Sequence, residues 1–116
     1  MPTIADINRK NESNRQYLHN KCWQVLYDYI PKIQNYILKI NKSTDFEQNI
    51  YLDEINVNIK QICKSHNILL NQKPYNYLSS YLNHTKKMST SKDIINSLQL
   101  LINIITAKYN KYNKCV

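Results

Sequence analysis

Residues 58–83 read NIKQICKSHNILLNQKPYNYLSSYLN. Ile59, Ile62 and Cys63 step by three and four, which places them on one face of a helix. After a turn that holds Ile68, the residues Tyr75, Leu78, Tyr81 and Leu82 repeat the same period. Pro74 stands just before them. Proline suits the first turn of a helix, because its missing N–H has no partner there and its φ is already helical. The stretch therefore predicts two amphipathic helices, the second opened by Pro74. Lys60, Lys64, Lys73, Lys86 and Lys87 surround the two apolar faces, and no acidic residue falls between Lys60 and Lys87.

Toward the C-terminus, Met88 to Ser91 is a polar link in which Ser89, Thr90 and Ser91 are alternative helix N-caps. Beyond it Ile94, Ile95, Leu98, Leu101, Ile102, Ile105 and Tyr109 line one helical face. Lys108, Lys111 and Lys114 follow where cations complement the helix dipole. Toward the N-terminus, Thr44 with Glu47 matches a capping box and predicts a helix starting near Asp45. The helical spacing fits better from Leu52 onward, through Ile55, Ile59, Ile62 and His66, so the expected helix runs from about 46 or 52 to 65, although Ile50, Leu52, Ile55, Val57 and Ile59 partly alternate as a short strand would. Further upstream, Leu18, Cys22, Leu26, Tyr29, Ile33, Ile37 and Ile40 form an unbroken stripe, widened by Trp23, Val25, Ile30 and Tyr36. Pro31 interrupts its hydrogen bonding. The preferred reading is two helices, 13–29 and 31–41, rather than one kinked helix. Residues 1–12 read as a short lead-in to a single helical domain over 13–116.

A chain of 116 residues is one domain with a modest core. It has no glycine. Turns that need positive φ must then rest on asparagine, which tolerates the left-handed region better than most residues. A sheet-rich fold without glycine would be unusual, so the expected class is all-α, a compact bundle of four to six helices. The net charge is +8 and lopsided. Residues 1–55 hold seven basic and seven acidic groups, whereas residues 56–116 hold nine lysines against Asp93 alone. Such a surplus points to a polyanion, nucleic acid first and an anionic membrane surface second. No apolar run is long enough to span a bilayer, and the polar segment Pro2 to Ser13 does not read as a secretory leader. Cysteines 22, 63 and 115 are odd in number and scattered, which fits a reducing, intracellular setting such as cytoplasm, nucleus or nucleoid. Abundant Asn, Ile, Lys and Tyr with little Ala or Arg fits an AT-rich coding sequence, as of a virus, a phage or an AT-rich microbe.

The segment 58–83 resembles a helix-turn-helix DNA-binding motif. Ile59, Ile62, Cys63 and Ile68 stand where that motif places apolar and small residues, and residues 77–83 resemble a recognition helix of the repressor type. Asn67 replaces the glycine usual in the turn, and the segment from Ile68 to Leu78 is longer than in the compact form. The resemblance implies that Asn76, Ser79, Ser80 and Asn83 face the bases, where an asparagine amide pairs with adenine N6 and N7. Lys73, Lys86, Lys87 and Lys92, with Lys60 and Lys64 beside them, would hold phosphates. Tyr75 and Tyr81 would contact the backbone or stack on an unpaired base. Residues 77–105 also resemble the helical core-binding domain of tyrosine recombinases, another lysine-bearing clasp on DNA, but the chain has no room for the catalytic domain.

His19-x-x-Cys22 and Cys63-x-x-His66 each place two potential ligands on one helical face, so a zinc site of two imidazoles and two thiolates is one reading. The other is that Cys22 and Cys63 are small core hydrophobes, with no metal and no cofactor. No carboxylate pair, nucleophile elbow or glycine loop suggests catalysis. The expected function is non-enzymatic nucleic-acid binding, DNA favoured. The alternative is a helical protein–protein interaction module, an adaptor or inhibitor docking an acidic partner. In that case exposed Trp23, Tyr27, Tyr29 and Tyr36 would supply aromatic anchors, and the neutral N-terminal half would mediate homodimerisation or partner contact.

Overall fold

The described residues form four α-helices and no strand: α1 Ile4–Asn41, α2 Asp45–Ser65, α3 Lys73–Thr85 and α4 Ser91–Asn113. The structure is a computed structural model. It describes the backbone of residues 4–113 except Leu69 and Asn71, and side chains of residues 15–113 except those two and Asp45. The segment 50–59, with its partial strand alternation, lies wholly inside α2. The 38 residues of α1 span about 57 Å at 1.5 Å per residue. That is most of the molecule's 62 Å long axis, and the other three helices all pack on this spine.

The break expected at Pro31 does not occur. Instead of separate helices over 13–29 and 31–41, α1 is a single helix with Pro31 inside it. Pro31 has no N–H to give the Tyr27 carbonyl, which in a helix interior costs about 3 kcal/mol. On both sides of it Leu26, Tyr29, Ile30, Ile33 and Ile40 are buried. Each such side chain contributes about 1.5–3 kcal/mol when buried. Ile33 and Ile40 together therefore outweigh the missing bond, and Pro31 itself stands in solvent. The lead-in expected over residues 1–12 is helical from Ile4. Residues 1–3 and 114–116 lie outside the described residues, and with them the expected dipole partner Lys114.

Neighbouring helices run antiparallel. α4 has the longest seam with α1. Along it Asn113 Nδ2 donates to the Asn20 carbonyl at 2.9 Å, and the Tyr27 and Tyr109 rings stack 4.0 Å apart. α2 lies on another side of α1. Asn58 Nδ2 donates to Tyr29 Oη at 2.9 Å, and Tyr36 Oη donates to Glu54 Oε2 at 2.9 Å. Burial and the bond to Glu54 push the Tyr36 phenol up to about 12, which keeps it a donor to that carboxylate. Deeper in the same seam, Cys22 and Cys63 hydrogen-bond to one another, both fully buried. That contact, with burial, pushes the Cys22 thiol far up. Cysteine here packs as a hydrophobe.

Local chemistry sets the helix ends. Thr44 Oγ1 accepts the Glu47 N–H and starts α2 at Asp45, as the capping box predicts. Thr90 Oγ1 accepts the Asp93 N–H at 3.1 Å and starts α4. Asn67 takes φ 58°, the one positive φ among the described residues. Its N–H bonds the Lys64 carbonyl, and the Ile68 N–H bonds the Cys63 carbonyl at 2.8 Å. This is a Schellman cap in which asparagine does the work usually given to glycine. Ile68 then drops into the core. Pro74 lies in the first turn of α3, as expected. Polar pins fasten α4: Thr85 Oγ1 and Ser97 Oγ are 2.7 Å apart, Tyr81 Oη donates to the Ser97 carbonyl at 2.6 Å, and Gln48 Nε2 donates to Ser91 Oγ. Buried polar groups need such partners. No helix among the described residues is long and apolar enough to cross a membrane.

Candidate nucleic-acid interface

α3 is amphipathic along its whole length. Pro74, Tyr75, Leu78, Leu82 and Thr85 are buried. Lys73, Asn76, Ser80 and Asn83 follow one another by three and four along the opposite, exposed side. Lys87 continues the basic surface just past the helix end. None of these positions carries a carboxylate. Ser79 is half-buried, at the margin of the stripe. Of the four predicted base-facing residues, then, three share an open face and the fourth borders it.

α3 folds back along α2. Tyr75 lies beside Cys63 at one end of the pair, and Lys86 Nζ meets Asp53 Oδ1 at 2.6 Å at the other. Lys60 and Lys64 stand seven and eleven residues along from Asp53, on the same stripe of α2, and both are exposed. Lys86 is already paired and half-buried, so it holds α3 to α2 rather than offering a free ammonium. Lys92 is exposed at the start of α4, beside Asp93. Lys108 and Lys111 lie near the far end of α4, with the Lys111 ammonium 5.2 Å from the Tyr112 ring centroid.

Lys73 occupies the first residue of α3, and the first turn holds no acidic residue. A cation there opposes the helix dipole, by about 0.3–1 kcal/mol. Helix stability does not account for this lysine. Lys86 and Lys87, by contrast, sit at the C-terminal end, where the dipole favours them.

Tyr75 and Tyr81 are not available as expected. Tyr75 is buried and its hydroxyl reaches Asn56 Oδ1 at 3.4 Å, while the Tyr81 hydroxyl is committed to Ser97. The exposed tyrosine of α3 is Tyr77, at 44%. Its spacing of four after Lys73 and three before Ser80 could have identified it. Tyr77 rests 6.4 Å from Trp23 and 6.1 Å from Tyr81, centroid to centroid. Below it the seam between α3 and α4 opens into a groove of about 590 Å³, lined by Tyr81, His84, Lys87, Met88, Asn96 and Leu100 among others. His84 is exposed there and was also missed by the sequence reading.

The aromatic patch expected for protein contact is not on the surface. Trp23 and Tyr29 are buried, and Tyr27 and Tyr36 are half-buried against neighbouring helices. α1 is contacted by three helices, so its apolar stripe is broad enough to draw these rings inward. The four potential zinc ligands are not assembled either. Cys22 and Cys63 meet in the core, but His19 packs edge-on to Tyr112 at 4.7 Å, and His66 is exposed at the end of α2. Among the described residues no group of three or more His, Cys, Asp or Glu gathers as a metal site would need.

No family model matches the chain, and no curated protein or solved structure matches it at a significant level.

Proposed function

We propose that the chain is a small, non-enzymatic nucleic-acid-binding protein of the cell interior, DNA favoured, which docks through the exposed face of α3. One observation carries this reading. Lys73, Asn76, Ser80 and Asn83 form a continuous solvent-facing stripe, prolonged by Lys87 and flanked on α2 by Lys60 and Lys64. In sequence no acidic residue falls between Lys60 and Lys87, and the carboxylate that shares the α2 stripe, Asp53, is paired with Lys86. Lysines at both ends of a short helix bracket about 20 Å of surface at 1.5 Å per residue, enough to fix a phosphate backbone while the amides and hydroxyl between them reach the bases.

The test is equilibrium binding of a fluorescently labelled oligonucleotide across a salt series. Phosphate contacts release counterions, so log K should fall linearly with log salt, by about 0.7–0.9 for each contact. Four exposed lysines (60, 64, 73 and 87) imply a slope of about −2.8 to −3.6 on that basis. No binding at low salt, or binding indifferent to salt, overturns the proposal.

A further inference from the structure

We infer that the preferred ligand is a single strand, with Tyr77 as a stacking platform for an unpaired base. The inference rests on the reading of α3 as a nucleic-acid surface and adds the strand type. In a duplex both faces of each base are covered by neighbouring pairs, so an exposed aromatic ring has nothing to stack on. In a single strand every base has a free π-face, and aromatic side chains beside a basic track are the usual way to hold it.

α3 places such a ring beside its basic stripe, on the flank that faces α1. Tyr77 lies between Lys73 and Ser80 in the helical step and is 44% exposed. Trp23 backs it from α1 with the rings tilted 54°, and Tyr81 supports it from the next turn at 37°. A ring braced on two sides loses little freedom on binding, which favours stacking over a mobile side chain. The groove that follows has two apolar residues in its lining, Met88 and Leu100, the latter 55% exposed, among polar ones that include Ser89 and the Asp93 carboxylate. Exposed apolar surface beside lysines gives nothing to duplex phosphates, but it can accommodate a splayed base. Asn96 and His84 offer that base hydrogen bonds at the rim, and Lys87 lies next to the phosphate that would follow it. The surface thus alternates cation, ring and apolar slot, as a strand alternates phosphate and base.

The experiment compares a labelled oligothymidylate with the same strand annealed to oligoadenylate, by fluorescence anisotropy at one fixed low salt concentration. The single strand is expected to bind about tenfold tighter or more. Tyr77→Leu keeps an apolar side chain against Trp23 but removes the π-face. It should weaken single-strand binding by about tenfold, since one stacked base contributes on that order, and leave duplex binding unchanged. Tyr77→Phe should bind as the parent does. Equal or tighter binding of the duplex, or a Tyr77→Leu variant that binds the single strand normally, overturns the inference while leaving the basic surface intact. Binding of neither form overturns both the inference and the reading beneath it.

Discussion

Changing Lys60, Lys64, Lys73 and Lys87 together to glutamine is expected to abolish nucleic-acid binding at moderate salt without disturbing the fold. All four are exposed on helices or just past a helix end, and glutamine matches lysine closely in helix propensity. At about 0.1 M salt each lost phosphate contact removes close to one order of magnitude in affinity, so four contacts remove about three, and the salt slope flattens by a similar figure. A control variant carries the same loss of charge elsewhere: Lys32, Lys42, Lys108 and Lys111 to glutamine. If the α3–α2 surface is the interface, the control falls by less than about tenfold, reflecting only the weaker general field. Equal losses in the two variants would mean that net charge, and not a surface, attracts the polyanion.

Replacing Pro31 with alanine is expected to stabilise the protein by about 2 kcal/mol. The gain comes from restoring an N–H for the Tyr27 carbonyl and removing the ring's clash in the helix, together worth about 3 kcal/mol. It is offset by about 0.4–1 kcal/mol from the greater freedom of the unfolded chain. Pro31 is exposed, so alanine leaves no cavity. In a domain of this size the change should appear as a rise of several degrees in the unfolding midpoint. An unchanged or lowered midpoint would mean that α1 bends at Pro31 in a way its packing requires.

Features fixed by short-range chemistry were legible in the sequence. Thr44 with Glu47 marked the start of α2, Pro74 the first turn of α3, and asparagine the left-handed turn that glycine could not supply. The buried and exposed faces of α3 followed from its period. What escaped depends on partners distant in sequence. Whether Pro31 breaks α1 is decided by Ile33 and Ile40 finding a core on the far side. Trp23 and Tyr29 read equally well as surface anchors until three helices close around α1. Lys86 looked like its neighbours, yet Asp53, 33 residues away, takes its ammonium. Tyr75 and Tyr81 belong to the apolar side of α3, and their hydroxyls turn inward to Asn56 and Ser97, away from any base. Tyr77 lies one turn before Tyr81 and touches its ring, and only the packing of α1 against α3 decides how much of Tyr77 stays exposed.

The proposed nucleic-acid binding requires the exposed face of α3 to meet the ligand. Two-dimensional amide NMR of the labelled protein, titrated with a short single-stranded oligonucleotide, tests it residue by residue. The account predicts that the perturbed amides cluster from Lys73 to Lys87, with satellites at Lys60, Lys64 and Asn96. Perturbations concentrated instead along the α1–α4 seam, or none at a saturating excess of strand, would contradict it.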